Sequence, residues 1–263
     1  MTRRDPYTPG PVGALTYLRA VSYYLHVAVA TVVLGILGTP RALFGGRAGA
    51  NRTATIWIDY MLRAARWHFG VSVEYRGTPP TDDCIVAAKH QSFLDILAIA
   101  HACPRRAFIM KKQIMYVPIM GWFAKKVGSV PIDRSRGSSA KTAIVTAVRK
   151  VMPRGLGQLI IYPEGTRTRP GQHRPYKPGA AILYQETGLP CVPVATNAGM
   201  FWPKEGLLIR PGIAVIEFLD PVPPGQEPAT LMALLEKRVE GASDALMDRA
   251  GLIRKGPQDA LAD

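Results

Sequence analysis

Beyond Gly70 the chain alternates short apolar runs with segments of helical length, and this alternation limits the fold more than any other feature. Residues 71–75, 84–88, 106–110, 158–162, 191–196 and 213–219 have the apolar, β-branched character of strands. Residues 92–101, 138–152, 178–187 and 230–249 have helical spacing, and the last of these is amphipathic. Strands alternating with helices predict an α/β fold, a mostly parallel central sheet with helices covering it. The proline-rich stretch 221–228 is short enough to be a connection within that domain. No internal repeat or low-complexity tract is present.

The first 69 residues follow a different pattern. Residues 20–40 contain no Asp, Glu, Lys or Arg and are bracketed by Arg19 and Arg41. That length approaches the roughly 20 residues a helix needs to cross a bilayer. The polar lead-in through Arg19 is too long for a secretory leader, and no small-residue cleavage site follows. A buried core helix is the soluble alternative, which Thr31, Gly35 and His26 would suit. Residues 54–69 form a second, amphipathic segment whose Trp57, Tyr60 and Trp67 suit the headgroup level. The division expected is a helical membrane anchor over 1–69 and an α/β domain over 70–263. Basic residues flank the apolar run on both sides, so they set no orientation.

The chain of 263 residues carries 33 Lys and Arg against 19 Asp and Glu. Sixteen of those bases lie between positions 101 and 177, where Asp133 and Glu164 are the only acids, so the central stretch holds the entire excess. Such a field implies an anionic partner, whether phospholipid, nucleic acid or an acidic carrier protein. Cys84, Cys103 and Cys191 are scattered and odd in number, which argues against a disulfide framework or a zinc site. Buried thiols are expected at all three.

Two sequences stand at strand exits, where α/β sheets bind their ligands. The strand at 84–88 runs into Lys89-His90-Gln91-Ser92-Phe93-Leu94-Asp95, and that at 158–162 into Pro163-Glu164-Gly165-Thr166-Arg167. An H-x-x-x-x-D spacing recurs by chance in a chain with five histidines, and alone it would describe a histidine beside an unrelated acid. Here His90 falls in the turn and Asp95 about one helical turn later. The imidazole can fold back so that its Nδ1–H meets the carboxylate, leaving Nε2 as a general base. Ser92 lacks a nucleophile elbow and is better placed to cap the helix. In the second turn Gly165 permits close backbone approach, Thr166 offers a hydroxyl, and Arg167 can grip a phosphate with two parallel hydrogen bonds. His68, His101 and His173 lack partners at metal spacing and read as packing or surface residues.

With both turns in this order, the sequence resembles the glycerolipid acyltransferases, in particular the bacterial 1-acylglycerol-3-phosphate acyltransferases. Between the turns, residues 107–122, with Lys111 and the Pro118-x-x-Gly121 ending, look like the family's lysine-containing segment. Gly128-Ser-Val-Pro-Ile-Asp-Arg134 is similar to the motif whose arginine contacts the acceptor, and Val192-Pro193-Val194 to the last, mostly structural block. The resemblance covers about half the chain, from Gly70 to Asn197.

It implies that His90 is the base and Asp95 its orienter. Arg134, Glu164, Gly165, Thr166 and Arg167 would bind the glycerophosphate head, with Lys111 contributing charge. It further implies an acyl-CoA or acyl carrier protein donor, a lysophospholipid acceptor and a phospholipid membrane as partners. No nucleic acid, metal or bound cofactor is implied, and the expected location is a cell inner membrane with the catalytic domain on the cytoplasmic face. Two positions depart from the family pattern: Lys89 stands where asparagine is frequent, and Pro131 where an aromatic is usual. The rival readings are an acyltransferase for another lyso-lipid, such as a lyso-ornithine lipid, and a non-enzymatic basic protein that binds membranes.

Overall fold

The computed structural model describes residues 5–132, 139–205 and 207–252. Seven strands form one sheet: β1 (Val71–Arg76), β2 (Cys84–Ala88), β3 (Arg106–Lys111), β4 (Val130–Ile132), β5 (Gln158–Ile161), β6 (Cys191–Thr196) and β7 (Gly212–Phe218). Their order across the sheet is β1-β7-β6-β2-β5-β3-β4. The five strands from β6 to β4 run parallel, β7 is antiparallel to β6, and β1 is parallel to β7. The expected α/β class with a mostly parallel sheet is therefore what the chain adopts. The reversal at β7 has a local reason. A parallel return needs a crossover that covers the sheet, and the connection from β6 holds only one short helix, α7 (Ala198–Phe201).

Strands β2, β5 and β6 are buried along their whole length, as their largely apolar sequences demand, with Gln158 and Thr196 the buried polar ends of β5 and β6. Helices α5 (Ser139–Val151), α6 (Gly179–Thr187) and α8 (Pro228–Arg249) are the elements of one packed layer, with Val148, Leu183, Leu231 and Leu235 in its core. On a second layer Leu94 and Leu97 of α3 (Phe93–Ala102) meet Ile58, Met61 and Phe201. Strand β4, the short helix α4 (Met120–Lys126) and a 3₁₀ turn at Lys112–Tyr116 were not foreseen from the sequence. β4 has three residues, and its Pro131 is tolerated because β4 is the edge strand.

The N-terminal helices are longer than the hydropathy pattern indicated: α1 spans Ala14–Phe44 and α2 spans Gly46–Phe69. They pack as a close hairpin. At Gly38 a Cβ atom would lie 2.1 Å from Thr53 Cγ2, so only glycine admits this approach. The hairpin is joined to the body along its length. Tyr23 meets the rings of Phe69 and Trp202, and Gly35 abuts Ile119. Arg47 donates to the carbonyls of Val127, Gly155 and Leu156. Buried Arg106 at the start of β3 donates to Cys103 O and Thr55 Oγ1. The outward side of α1 presents Leu18, Val21, Leu25, Val29, Val32, Ile36 and Leu37, all exposed. Among the described residues α1 is the one helix long and apolar enough to cross a membrane.

Candidate active site

His90 lies just beyond the carboxyl end of β2, in the middle of the sheet. The turn after β2 is set by α3, whose N-cap Ser92 accepts a hydrogen bond from Leu94 N at 2.9 Å. Asp95 occupies the third position of α3, and its Oδ2 reaches back to accept Ser92 N at 2.6 Å and Gln91 N at 2.7 Å. This is a capping box in which the acid satisfies donors that a helix start leaves open. The other oxygen, Oδ1, is 2.9 Å from His90 Nδ1. A carboxylate only accepts, so Nδ1 carries the proton and Nε2 is left as the basic nitrogen. Asp95 is fully buried while the imidazole keeps 13% of its surface exposed, so its open edge can be reached from outside the protein.

Tyr162, directly after β5, lies under this imidazole with ring centroids 3.9 Å apart. Burial, followed by the charge of Asp95, pushes its hydroxyl well above the ordinary tyrosine value. The backbone of His90 is also held. Its carbonyl accepts from Thr168 N at 2.8 Å, and its N–H donates to Glu164 Oε2 at 3.1 Å. Glu164 is almost fully buried and faces inward, toward Lys89 and the His90 backbone. The sequence placed it among the head-group ligands; the structure places it behind the histidine. Its pKa is raised to about 7 by burial, with Lys89 opposing the rise.

A cavity of about 640 Å³ opens beside His90. Leu34, Trp57, Phe93, Leu97, Phe108 and Phe123 give it apolar walls, so α1 and α2 supply part of the lining. His90, Lys111, Gly165, Thr166 and Arg167 line this one cavity, and Lys204 joins them. The structure thus brings together five of the eight residues singled out from sequence. Asp95 and Glu164 stand behind them, and Arg134 lies outside the described residues. Gly165 adopts φ +71°, closing the turn with its N–H on Tyr162 O at 2.9 Å, which explains the glycine.

Sequence reasoning missed Tyr162, Thr168 and Glu240. Tyr162 reads as the last residue of an apolar strand, and nothing in the local pattern says that its ring meets a histidine. The three thiols are free and buried, and burial pushes each up to about 12. They are poor nucleophiles as they stand. No group of three or more His, Cys, Asp or Glu side chains among the described residues is arranged to hold a metal ion.

Comparison with known proteins adds the following. The family model described as Acyltransferase matches residues 71–197. A 1-acyl-sn-glycerol-3-phosphate acyltransferase of Pseudomonas aeruginosa is 29% identical over 198 residues, covering 74% of this chain and 77% of that protein. The human 1-acyl-sn-glycerol-3-phosphate acyltransferase beta is 26% identical over 215 residues, covering 78% and 76%. The crystal structure of the 1-acyl-sn-glycerophosphate acyltransferase PlsC of Thermotoga maritima superposes with a TM-score of 0.73 at 22% identity, over 91% of this chain and 98% of that one. The matched segment begins at β1 and ends just past β6, so it contains both strand-exit turns, the first of which carries the histidine–aspartate pair; residues 71–197 are a domain of the acyltransferase family.

Proposed function

We propose that this protein transfers a fatty-acyl chain from a thioester to the free hydroxyl of 1-acylglycerol-3-phosphate, giving phosphatidic acid. The observation that carries this reading is the buried-acid-oriented imidazole of His90 opening into an apolar cavity that also holds Arg167 and Lys111. His90 Nε2 takes the hydroxyl proton as the alkoxide oxygen bonds to the thioester carbonyl carbon. The tetrahedral intermediate collapses, the carbon–sulfur bond breaks, and the departing thiolate takes the proton from the imidazolium. Asp95 fixes the tautomer and stabilises the imidazolium while it exists. The balance needs neither a metal nor a redox cofactor.

Arg167 and Thr166, with Arg134, hold the acceptor phosphate in this reading, and the apolar walls receive an acyl chain. Lys111 and Lys204 add to the field that draws an anionic acceptor and donor. The donor is acyl-CoA or acyl carrier protein, both of which carry phosphate. Glu164 acts through the backbone of His90 and does not touch the head group.

The exposed apolar side of α1 meets the bilayer. Because the opposite side packs on α2 and the body from Tyr23 to Ala42, α1 does not traverse the bilayer alone. It lies along one leaflet and sets the cavity at the depth of lipid substrates. A cell inner membrane with the catalytic domain on its cytoplasmic face meets those needs.

The test is an acyl-transfer assay with purified protein, both thioester donors and a panel of lyso-lipids that includes lysophosphatidate and lyso-ornithine lipid. Lysophosphatidate should be the preferred acceptor. A preference for a phosphate-free acceptor would overturn the assignment.

A further inference from the structure

Lys89 opens the turn that carries His90, and its side chain is fully buried. Its Nζ lies 2.7 Å from Glu240 Oε2 and 2.9 Å from Glu240 Oε1, on α8. It lies 3.2 Å from Glu164 Oε1, beyond β5. None of these three residues lines the cavity. One ammonium therefore joins two carboxylates from different elements immediately behind the candidate base. Burying three charges is costly unless each is paired and hydrogen-bonded, and the surroundings meet that requirement. Tyr176 donates its hydroxyl to Glu240 at 3.0 Å, Gln172 O accepts from Lys89, and Thr168 Oγ1 donates to Glu164. Glu240 also lies outside residues 71–197, so the matched domain contains only one of the two carboxylates that answer Lys89.

We propose that Lys89 and Glu240 are positioning residues: together they set the charge of Glu164, and Glu164 holds the backbone of His90 in the orientation catalysis needs. The proposal rests on the acyl-transfer reading for its kinetic consequence. Glu164 accepts the His90 N–H while Thr168 holds the His90 carbonyl, so the residue is gripped on both sides. An ionised carboxylate makes the stronger of the possible hydrogen bonds to that N–H. The groups facing Glu164 are Lys89 from the β2 exit and Thr168 from its own turn. Beyond them lie His173, Tyr176 and Lys177 on the segment leading to α6, and Glu236, Glu240 and Asp244 on α8. Burial holds the carboxyl near neutrality, Lys89 pulls it down and Glu240 pushes it up. The two partners thus act on it with opposite sign.

That opposition supplies a test which a merely structural salt bridge would not satisfy. Lys89→Asn removes the cation, so Glu164 protonates at higher pH. The acid limb of kcat should move up, and kcat at neutral pH should fall by roughly 10- to 100-fold, the scale of a small misplacement, with KM little changed. Glu240→Gln keeps the shape, removes the competing anion and leaves Lys89 to Glu164 alone. The acid limb should then move down. Both shifts should vanish in a Glu164→Gln background.

Independently of turnover, the His90 imidazole resonance in histidine-labelled full-length protein reports the same coupling. It is assigned by its loss in His90→Ala. A second inflection in its pH titration should move up in Lys89→Asn, move down in Glu240→Gln and disappear in Glu164→Gln. Should Lys89→Asn fail to fold, the isosteric Glu240→Gln carries the test. Shifts of the same sign in folded variants, no shift, or shifts that persist without Glu164 would overturn the proposal. Wild-type protein that transfers no acyl chain, yet shows the three resonance changes, would overturn the functional reading and leave the positioning role standing.

Discussion

The rings of Tyr162 and His90 stack 22° from parallel, with centroids 3.9 Å apart, so the imidazole has an aromatic floor as well as a carboxylate partner. The floor restricts rotation about the side-chain bonds, and the hydrogen bond to Asp95 selects one of the orientations that remain. An aromatic face also favours the imidazolium that forms during proton transfer. Tyr162→Phe should keep most of the activity, because the ring supplies both effects. Tyr162→Leu should lower kcat with little change in either KM. Steady-state kinetics on the two variants distinguish a stacking role from a hydroxyl role.

His90→Ala should lose roughly 10²–10⁴-fold in kcat, the usual contribution of a positioned general base. Asp95→Asn should be damaged as well, because an amide can donate to Nδ1 and stabilise the wrong tautomer. The asparagine also weakens the cap on α3, so melting temperatures must accompany the rates. Near-normal turnover by folded His90→Ala protein would remove the mechanism.

No acyl-enzyme is expected. Ser92 spends its hydroxyl on capping α3, and the three thiols are buried and protonated at neutral pH. Ser92→Ala should cost about 1 kcal/mol of stability through the lost cap while keeping substantial turnover. Mass spectrometry of protein quenched with donor alone checks this, and an acylated side chain would point to a nucleophilic route.

Arg167→Ala should raise KM for a phosphate-bearing acceptor far more than KM for the donor. Lysine should restore the loss only in part, since it offers a charge without the planar fork. Initial rates with each substrate varied in turn decide the point. A defect confined to the donor would reassign Arg167 to the thioester side of the cavity.

Ile119 lies between α1 and the cavity at φ 64°, ψ −61°, in a tight turn closed by Met120 N on Pro118 O at 2.6 Å. A β-branched residue in that conformation is strained, and it is held there against Gly35 of α1. Ile119→Ala should widen this wall and shift donor preference toward longer acyl chains. Competition between thioesters of different length, read by product mass, checks the direction.

Much of this arrangement was legible in the chain because it is local. The strand at 84–88, the cap at Ser92 and the five-residue spacing from His90 to Asp95 lie within one short stretch, and local spacing was enough to place the pair. The lengths of α1 and α2 were underestimated because Arg41, Arg47 and Arg52 interrupt the apolar pattern without interrupting the helices. β4 is held by pairing to β3, not by its own three residues. The inward direction of Glu164 was illegible for another reason. A turn reveals which residues are near a ligand, but not which of them face inward, and the inward choice depends on Lys89 and on a helix far along the chain.

The distance between Lys89 and Glu240, 151 residues, also orders events during synthesis. The turn carrying His90 is translated long before α8 exists, and until α8 docks its buried ammonium has only Glu164 to answer it. The apolar helix α1 precedes that turn in the chain and can meet a bilayer while α8 is still to be made. In this design the apolar helix precedes the histidine turn, and that turn gains its full set of partners only when α8 closes over the sheet.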